Sequence, residues 1–324
     1  MTKRGAMNNK SVVRGVGTPA GNRALDASLG FHALELSSSV ARFPDGAQMR
    51  VEIPSVENPA AMAAVIEEAD RLGVTVHRVS QGSGAMLLSE KELGEMATMG
   101  SDRGIEVSLF VGPREEYGTG GSVHAAEGRS MSGHLRGLHQ LRYALEDIHR
   151  ALESGIRGFL VADVGLLEVV NDLVLANQLP SDIVWKASAV LAPSNPLSFR
   201  QLAKLGASTI NIPSDMTLME MCEVRAVAEI PIDIYMEAPD ALGGMVRGHE
   251  IVETVLVAAP IYAKYGLRNA RAVYPAGQHL SSDVVANVRE KVRRAAISIE
   301  WIKRSESDPI ISLPGAKGIG VPLR

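Results

Sequence analysis

Lys186 and Ser188 share one face of a β-branched run with Val184, and Glu237 ends another run in which Ile232, Ile234 and Met236 alternate with Asp233 and Tyr235. Similar alternation sets Glu52 against Val51 and Ile53, His77 and Thr75 against Val74 and Val76, and Asn211 and Thr209 against Ile210 and Ile212. On a strand of a closed sheet the apolar set faces the surrounding helices, so the polar set points to the interior or its mouth. Unpaired ionisable groups there cost several kcal/mol each, about what internal ion pairs, hydration or a metal must offset. Retention of so many suggests chemistry. A buried lysine loses basicity and becomes a nucleophile for carbonyl carbon, and a carboxylate such as Glu237 or Asp163, helped by His77, suits general acid–base work. Glu52, His77 and Glu237 also form a donor set for a divalent metal that would activate water or polarise a carbonyl.

These residues need a frame that brings strand ends together. Strand-like runs at 50–54, 74–80, 106–111, 158–162, 183–188, 209–213, 232–237 and 270–274 alternate with helical patterns at 59–72, 90–103, 134–154, 166–176, 196–205, 218–228 and 246–264, and a last helix is expected at 283–304. Asn58-Pro59 and Asn195-Pro196 mark helix starts, as do the capping boxes Ser89/Glu92 and Thr217/Glu220. Gly73, Gly104, Gly155 and Gly206 stand between a helix and the next strand. Repetition of this unit points to an α/β fold, a (β/α)8 barrel of the TIM type, with its site at the carboxyl ends of the strands. An open doubly wound sheet is the alternative, but no glycine-rich fingerprint follows the first strand, which also argues against a nucleotide cofactor. The division expected is an N-terminal arm over 1–48, including a hairpin at 31–48 that plugs the barrel, a catalytic barrel over 49–304, and a Pro/Gly-rich tail over 305–324 lying on the surface or on a neighbouring subunit of a homo-oligomer.

The loops supply further candidates. Residues 112–133 make a long glycine-containing connection with Arg114, suited to a lid or binding loop. Arg78, Arg114 and Arg247 could each hold an anionic substrate group, and Gly243-Gly244 opens a helix near Arg247. Ser188, Asn211 and His279 fall at the same end. The 324 residues carry a formal charge of −4, with 46% hydrophobic and 22% charged residues. That balance gives no attraction to nucleic acid or anionic membrane, and no apolar run reaches spanning length. The one cysteine, Cys222, lies in a helical pattern and excludes a disulfide framework or a thiolate-held cluster. A reducing, cytoplasmic setting fits.

The stretch 158–238 resembles the collagenase-like peptidase family, also called U-32. The matching features are Ala162-Asp163-Val164-Gly165, Lys186-Ala187-Ser188 with Asn195, Leu205-Gly206-Ala207, Ile212-Pro213-Ser214-Asp215-Met216-Thr217-Leu218 and the strand ending in Glu237. The resemblance implies a barrel enzyme and a peptidase-like label. Members carry a cysteine group soon after the strand that Glu237 ends. This chain has none there, so an iron–sulfur cluster is not expected. The leading expectation is a hydrolase of an amide or lactam bond in a small carboxylate-bearing substrate, with Glu237 as acid or base. A carbon–carbon or carbon–nitrogen lyase, metal-dependent or using Lys186 as an imine-forming amine, is the alternative, and a non-enzymatic binding partner the third.

Overall fold

A computed structural model describes residues 12–13, 36–316 and 318–324. Eight parallel strands close into a barrel: β1 (Met49–Pro54), β2 (Arg78–Gln81), β3 (Glu106–Phe110), β4 (Gly158–Val161), β5 (Val184–Ala187), β6 (Thr209–Asn211), β7 (Ile232–Glu237) and β8 (Ile261–Tyr265). The helices around it are α1 (Pro59–Leu72), α2 (Glu90–Arg103), α3 (Gly137–Glu153), α4 (Val164–Leu175), α5 (Pro196–Lys204), α6 (Leu218–Arg225), α7 (Ile251–Ala258) and α8 (Ser281–Arg304). The expected (β/α)8 architecture is therefore present. None of the described helices is long and apolar enough to cross a membrane.

The alternation that suggested strands also builds the core. Val51, Ile53, Val107, Leu109, Ile210 and Ile234 turn outward and are fully buried under the helices. The helices start where their caps stand: Asn58 accepts from the Ala61 amide, and Ser89/Glu92 and Thr217/Glu220 form reciprocal capping boxes.

Two elements depart from expectation. The helical pattern at 246–264 is split: α7 stops at Ala258 and β8 begins at Ile261, while residues 270–274 lie in the loop that follows. Pro260 is the cause, since it has no amide hydrogen and its ring blocks helix continuation. The apolar residues on either side of it continue a helical rhythm by coincidence. On β2, paired residues begin at Arg78, and Arg78 and Ser80 make the interior contacts. His77 has the opposite parity, so the expectation that it faces the mouth is reversed.

The amino-terminal end is closed from two directions. Phe43 and Ala47 pack on Tyr262, and the Arg50 guanidinium stacks 4.0 Å from the Phe43 ring centroid. The C-terminal segment crosses the same end. Ser312 donates its amide to Met49, the Gly320 amide reaches Glu106 Oε2 at 3.3 Å, and the Leu323 amide reaches Gly155. Of the hairpin expected over 31–48, residues 31–35 lie outside the described part.

Inside, Arg78 binds three carboxylates: Glu106 at 2.6 Å, Asp233 at 2.8 Å and Glu52 at 3.2 Å. All four side chains are solvent-inaccessible. The guanidinium also lies 3.5 Å from the Tyr262 ring centroid, and Thr209 donates to Asp233 at 2.8 Å. Removing one partner of a buried network strands the others. Arg78→Met should therefore lower stability by about 3–5 kcal/mol or prevent folding. Urea unfolding checks this, and a loss below about 1 kcal/mol would show that the three carboxylates do not depend on Arg78.

Candidate functional site

The register sorts the inward side chains into tiers. Neighbouring strands of such a barrel are offset by about one residue, so each tier takes its members from alternate strands. Following the pairs Glu52↔Arg78, Ser108↔Gly158, Lys186↔Thr209, Asn211↔Asp233 and Tyr235↔Lys264 around the barrel places Glu52, Ser108, Lys186 and Asp233 together. Arg78, Gly158, Thr209 and Tyr262 lie one tier toward the amino end. Ser80, Leu160, Asn211 and Lys264 lie one tier toward the mouth, and Pro54, Phe110, Ser188 and Tyr235 form the rim. Leu160 and Tyr235 are half-buried, whereas the other members of these two tiers are buried.

The chamber floor is a set of groups arranged about one carboxylate. Glu52 Oε1 is in contact with Lys186 Nζ, which reaches across from β5 on the opposite wall. It accepts from Ser80 at 2.7 Å and lies 3.7 Å from Lys264 Nζ. Lys264 bonds to Asn211 Oδ1 and stands 4.1 Å from the Tyr235 ring centroid. Asn211 is oriented by donating to the Ala187 carbonyl at 2.6 Å. The Ser108 hydroxyl, in the same tier as Lys186, is buried without a hydrogen-bond partner.

Burial would raise the pKa of Glu52, but Lys186, Lys264 and Arg78 together hold it well below the usual carboxylate range. Burial is also the main reason that Lys186 is pulled down to about 8; Glu52 opposes the shift, and Lys264 and Arg78 add to it. Lys186 shares Glu52 with Lys264 and Arg78, so its pairing with that carboxylate does not offset the cost of burial.

Of the residues expected at the site, Lys186, Asn211 and Glu52 meet at this floor, and Ser188 stands on the rim with its hydroxyl accepting from the Val190 amide at 3.4 Å. Arg114 reaches the rim from the loop after β3, stacked on Phe110. Arg78 lies below the floor, bound to its carboxylates. The others are engaged elsewhere. Glu237 accepts from the Arg268 amide at 3.0 Å and pairs with Arg294 of α8 at 3.3 Å. A register shift between Lys264 and Tyr265 sets Tyr265 opposite Glu237, so its carboxylate leaves the interior alignment of Asp233 and Tyr235. Asp163 caps α4 through the Leu166 amide and holds the Leu135 amide. Arg247 clamps the Ser214 and Met216 carbonyls and pairs with Glu250. His279 is exposed on the turn before α8. Glu52, His77 and Glu237 have three separate sets of partners, and among the described residues no three His, Cys, Asp or Glu side chains gather as metal ligands.

The residues missed from sequence are Lys264, concealed by the continuous helical reading, and Glu106, whose role depends on Arg78. The signal available for Lys264 was a lone charge in a five-residue run starting after Pro260.

No family model matches the chain, and no curated protein matches it. Solved structures do. A protein assigned to copper homeostasis, CutC from Streptococcus agalactiae, is 16% identical over 67% of this chain and 98% of its own, with a TM-score of 0.45. A protein assigned as a fructose-1,6-biphosphate aldolase from Coccidioides immitis is 11% identical over 78% of this chain and 90% of its own, at 0.48. The U32 peptidase Mk0906 is 16% identical over 71% of this chain and 82% of its own, at 0.37. These are likenesses of the barrel. They do not make the chain a member of the peptidase family it resembles in sequence.

His77 is structural by its bonds. Its Nδ1 accepts from the Val51 amide at 3.0 Å, so Nε2 carries the hydrogen and donates to the Ser312 carbonyl at 2.9 Å. Burial pushes its pKa down to about 4. Between that value and the unfolded value near 6.5 the unfolded chain holds the extra proton, so stability is lost as pH falls through this window, by about 3 kcal/mol at most. Urea unfolding at pH 7 and pH 4.5 should show a larger loss in the wild type than in His77→Gln. Equal losses would mean that the ring titrates freely.

Proposed function

We propose that this chain is a small-molecule enzyme in which Lys186 forms an imine with a carbonyl substrate and a carbon–carbon or carbon–nitrogen bond beside that carbonyl is broken or formed. The observation that carries this reading is the pairing of Lys186 with Glu52 across the barrel interior, next to a second lysine and below the half-buried Leu160 and Tyr235. Burial pulls Lys186 down to about 8, so more of it is free amine near neutral pH than of an ordinary lysine. That difference decides whether attack on a carbonyl is practical.

The neutral Nζ attacks the carbonyl carbon, and the carbonyl oxygen takes a proton and then leaves as water. For a carbon–carbon bond, the cationic imine draws in the electron pair of the bond one carbon away as it breaks, and the departing carbon becomes a carbonyl as its hydroxyl gives a proton to solvent. For a carbon–nitrogen bond, the imine acidifies the adjacent carbon, whose proton passes to solvent, and the enamine electrons expel the amine with its bonding pair. Protonation of the enamine left by carbon–carbon cleavage, or of the departing amine, precedes the hydrolysis that frees Lys186. Glu52 holds Nζ and offsets the imine's positive charge. Lys264, an ammonium one tier nearer the mouth, is the proton donor placed for the departing oxygen. The amide-hydrolase reading depended on Glu237 and Asp163. Their oxygens already serve Arg268, Arg294, Leu135 and Leu166, which leaves that reading without a base at the floor.

Borohydride reduction in the presence of pyruvate, dihydroxyacetone or glycolaldehyde should leave a stable adduct that peptide mass mapping assigns to Lys186. Its yield should rise through pH 8. In Glu52→Gln the carboxylate in contact with Lys186 is gone while Lys264 and Arg78 stay, so the midpoint should move below 8. Absence of an adduct with every probe, or a yield that rises only near pH 10, would remove the imine.

A further inference from the structure

The floor has no charge to spare. Glu52, Glu106 and Asp233 face Arg78, Lys186 and Lys264, and a substrate anion placed there would be a fourth negative charge among buried groups. The rim differs. Arg114 is nine-tenths buried, and its guanidinium lies over the Phe110 and Tyr117 rings, with centroids at 4.3 and 4.5 Å. Nη2 donates to the Gly82 carbonyl at 2.7 Å and to the Tyr117 hydroxyl at 2.9 Å. Nε is buried and makes no hydrogen bond. The nearest carboxylate, Glu116, is half-exposed and stands 3.5 Å from Nε. Tyr274 covers the neighbouring backbone so closely that a Cβ on Gly82 would lie 2.6 Å from its ring.

A guanidinium fixed by stacking and two bonds has already lost its rotamer freedom, and one with an unused buried donor gains from an oxyanion that takes it. We propose that Arg114 is the anion-binding residue of the barrel mouth, holding a carboxylate or phosphate at the end of the substrate remote from its carbonyl. The substrate class is then an anionic aldehyde or ketone whose charged group stands several bonds from the reacting carbon. The location of the carbonyl rests on the imine reading; the binding of the anion does not.

Calorimetric titration of the intact protein with inorganic phosphate and with glutarate tests the anion site alone and separates its two chemistries. One of them should bind, and Arg114→Met should weaken that binding by on the order of tenfold or more. Because Arg114 also ties Gly82 to Tyr117, Glu116→Gln provides a variant with no such structural bonds: loss of the competing carboxylate should tighten binding severalfold. Failure of both anions to bind the wild type, or affinities unchanged in both variants, would overturn the proposal. Borohydride trapping adds the second half. Succinic semialdehyde should half-saturate Lys186 at a concentration about tenfold lower than butanal, a preference lost in Arg114→Met. Anion binding without trapping of either aldehyde would sink the imine and leave the anion site standing, whereas equal trapping of the two would sink the proposed substrate class.

Discussion

A barrel axis sealed from water cannot carry unbalanced charge. The interior tiers of such a fold are usually filled with branched apolar side chains. Here Glu52, Glu106 and Asp233 face Arg78, Lys186 and Lys264, with Arg50 paired to Asp45 at the amino end, and each isolated ion would cost several kcal/mol. The balance depends on Arg78, whose planar fork reaches Glu52, Glu106 and Asp233 from three different strands. It also penalises errors of register, because a slip of one residue on β1 would turn Glu52 outward and leave Arg78 and Lys186 without it. The segments that close the amino end belong to the same constraint. Phe43 covers Arg50, and the C-terminal segment satisfies Glu106 through the Gly320 amide.

The arrangement that balances charge on the axis also leaves Lys186 less basic than an ordinary lysine. A lone Lys–Glu pair would hold the lysine protonated. With Arg78 and Lys264 sharing Glu52, the attraction felt by each cation is diluted while the cost of burial remains. Apolar tiers of similar volume would give a barrel at least as stable; under the proposed imine reading, this composition is stability exchanged for a more readily deprotonated amine.

Much of the frame was legible in the amino-acid order because it is written locally. Capping residues, glycines after helices and β-branched alternation each concern neighbours in the chain, and they located seven of the eight barrel strands. The same alternation turned Glu52, Lys186 and Asn211 inward. What it could not supply was partnership. Lys186 meets Glu52 across the barrel, 134 residues away in sequence, and no local pattern encodes that encounter. Glu237 shows the opposite failure: its parity was read correctly along β7, but a register shift against β8 sends its carboxylate to Arg268 and Arg294. His77 was misplaced because the paired part of β2 begins at Arg78 and not at residue 74, and the polar positions read before it do not continue the strand's inward face. Lys264 was lost with its strand, since the apolar residues before and after Pro260 mimic a single helix.

Two arginines show how one local device serves opposite ends of the barrel. Arg50 stacks on Phe43 at 4.0 Å, and Arg114 stacks on Phe110 at 4.3 Å. Arg50 is further bound to the Ser312 hydroxyl, to the Tyr262 hydroxyl and to Asp45, so nothing is gained there by admitting a ligand, and the end stays shut. Arg114 has the same stacking and a similar depth of burial but keeps Nε without a hydrogen bond, with only a half-exposed carboxylate near it. The contrast cannot come from the guanidinium or the ring, which are alike. It comes from what the chain places beyond them: a crossing tail that completes the bonds at one end, and the mouth at the other. Satisfaction of polar groups, more than their identity, therefore separates the seal from the entrance.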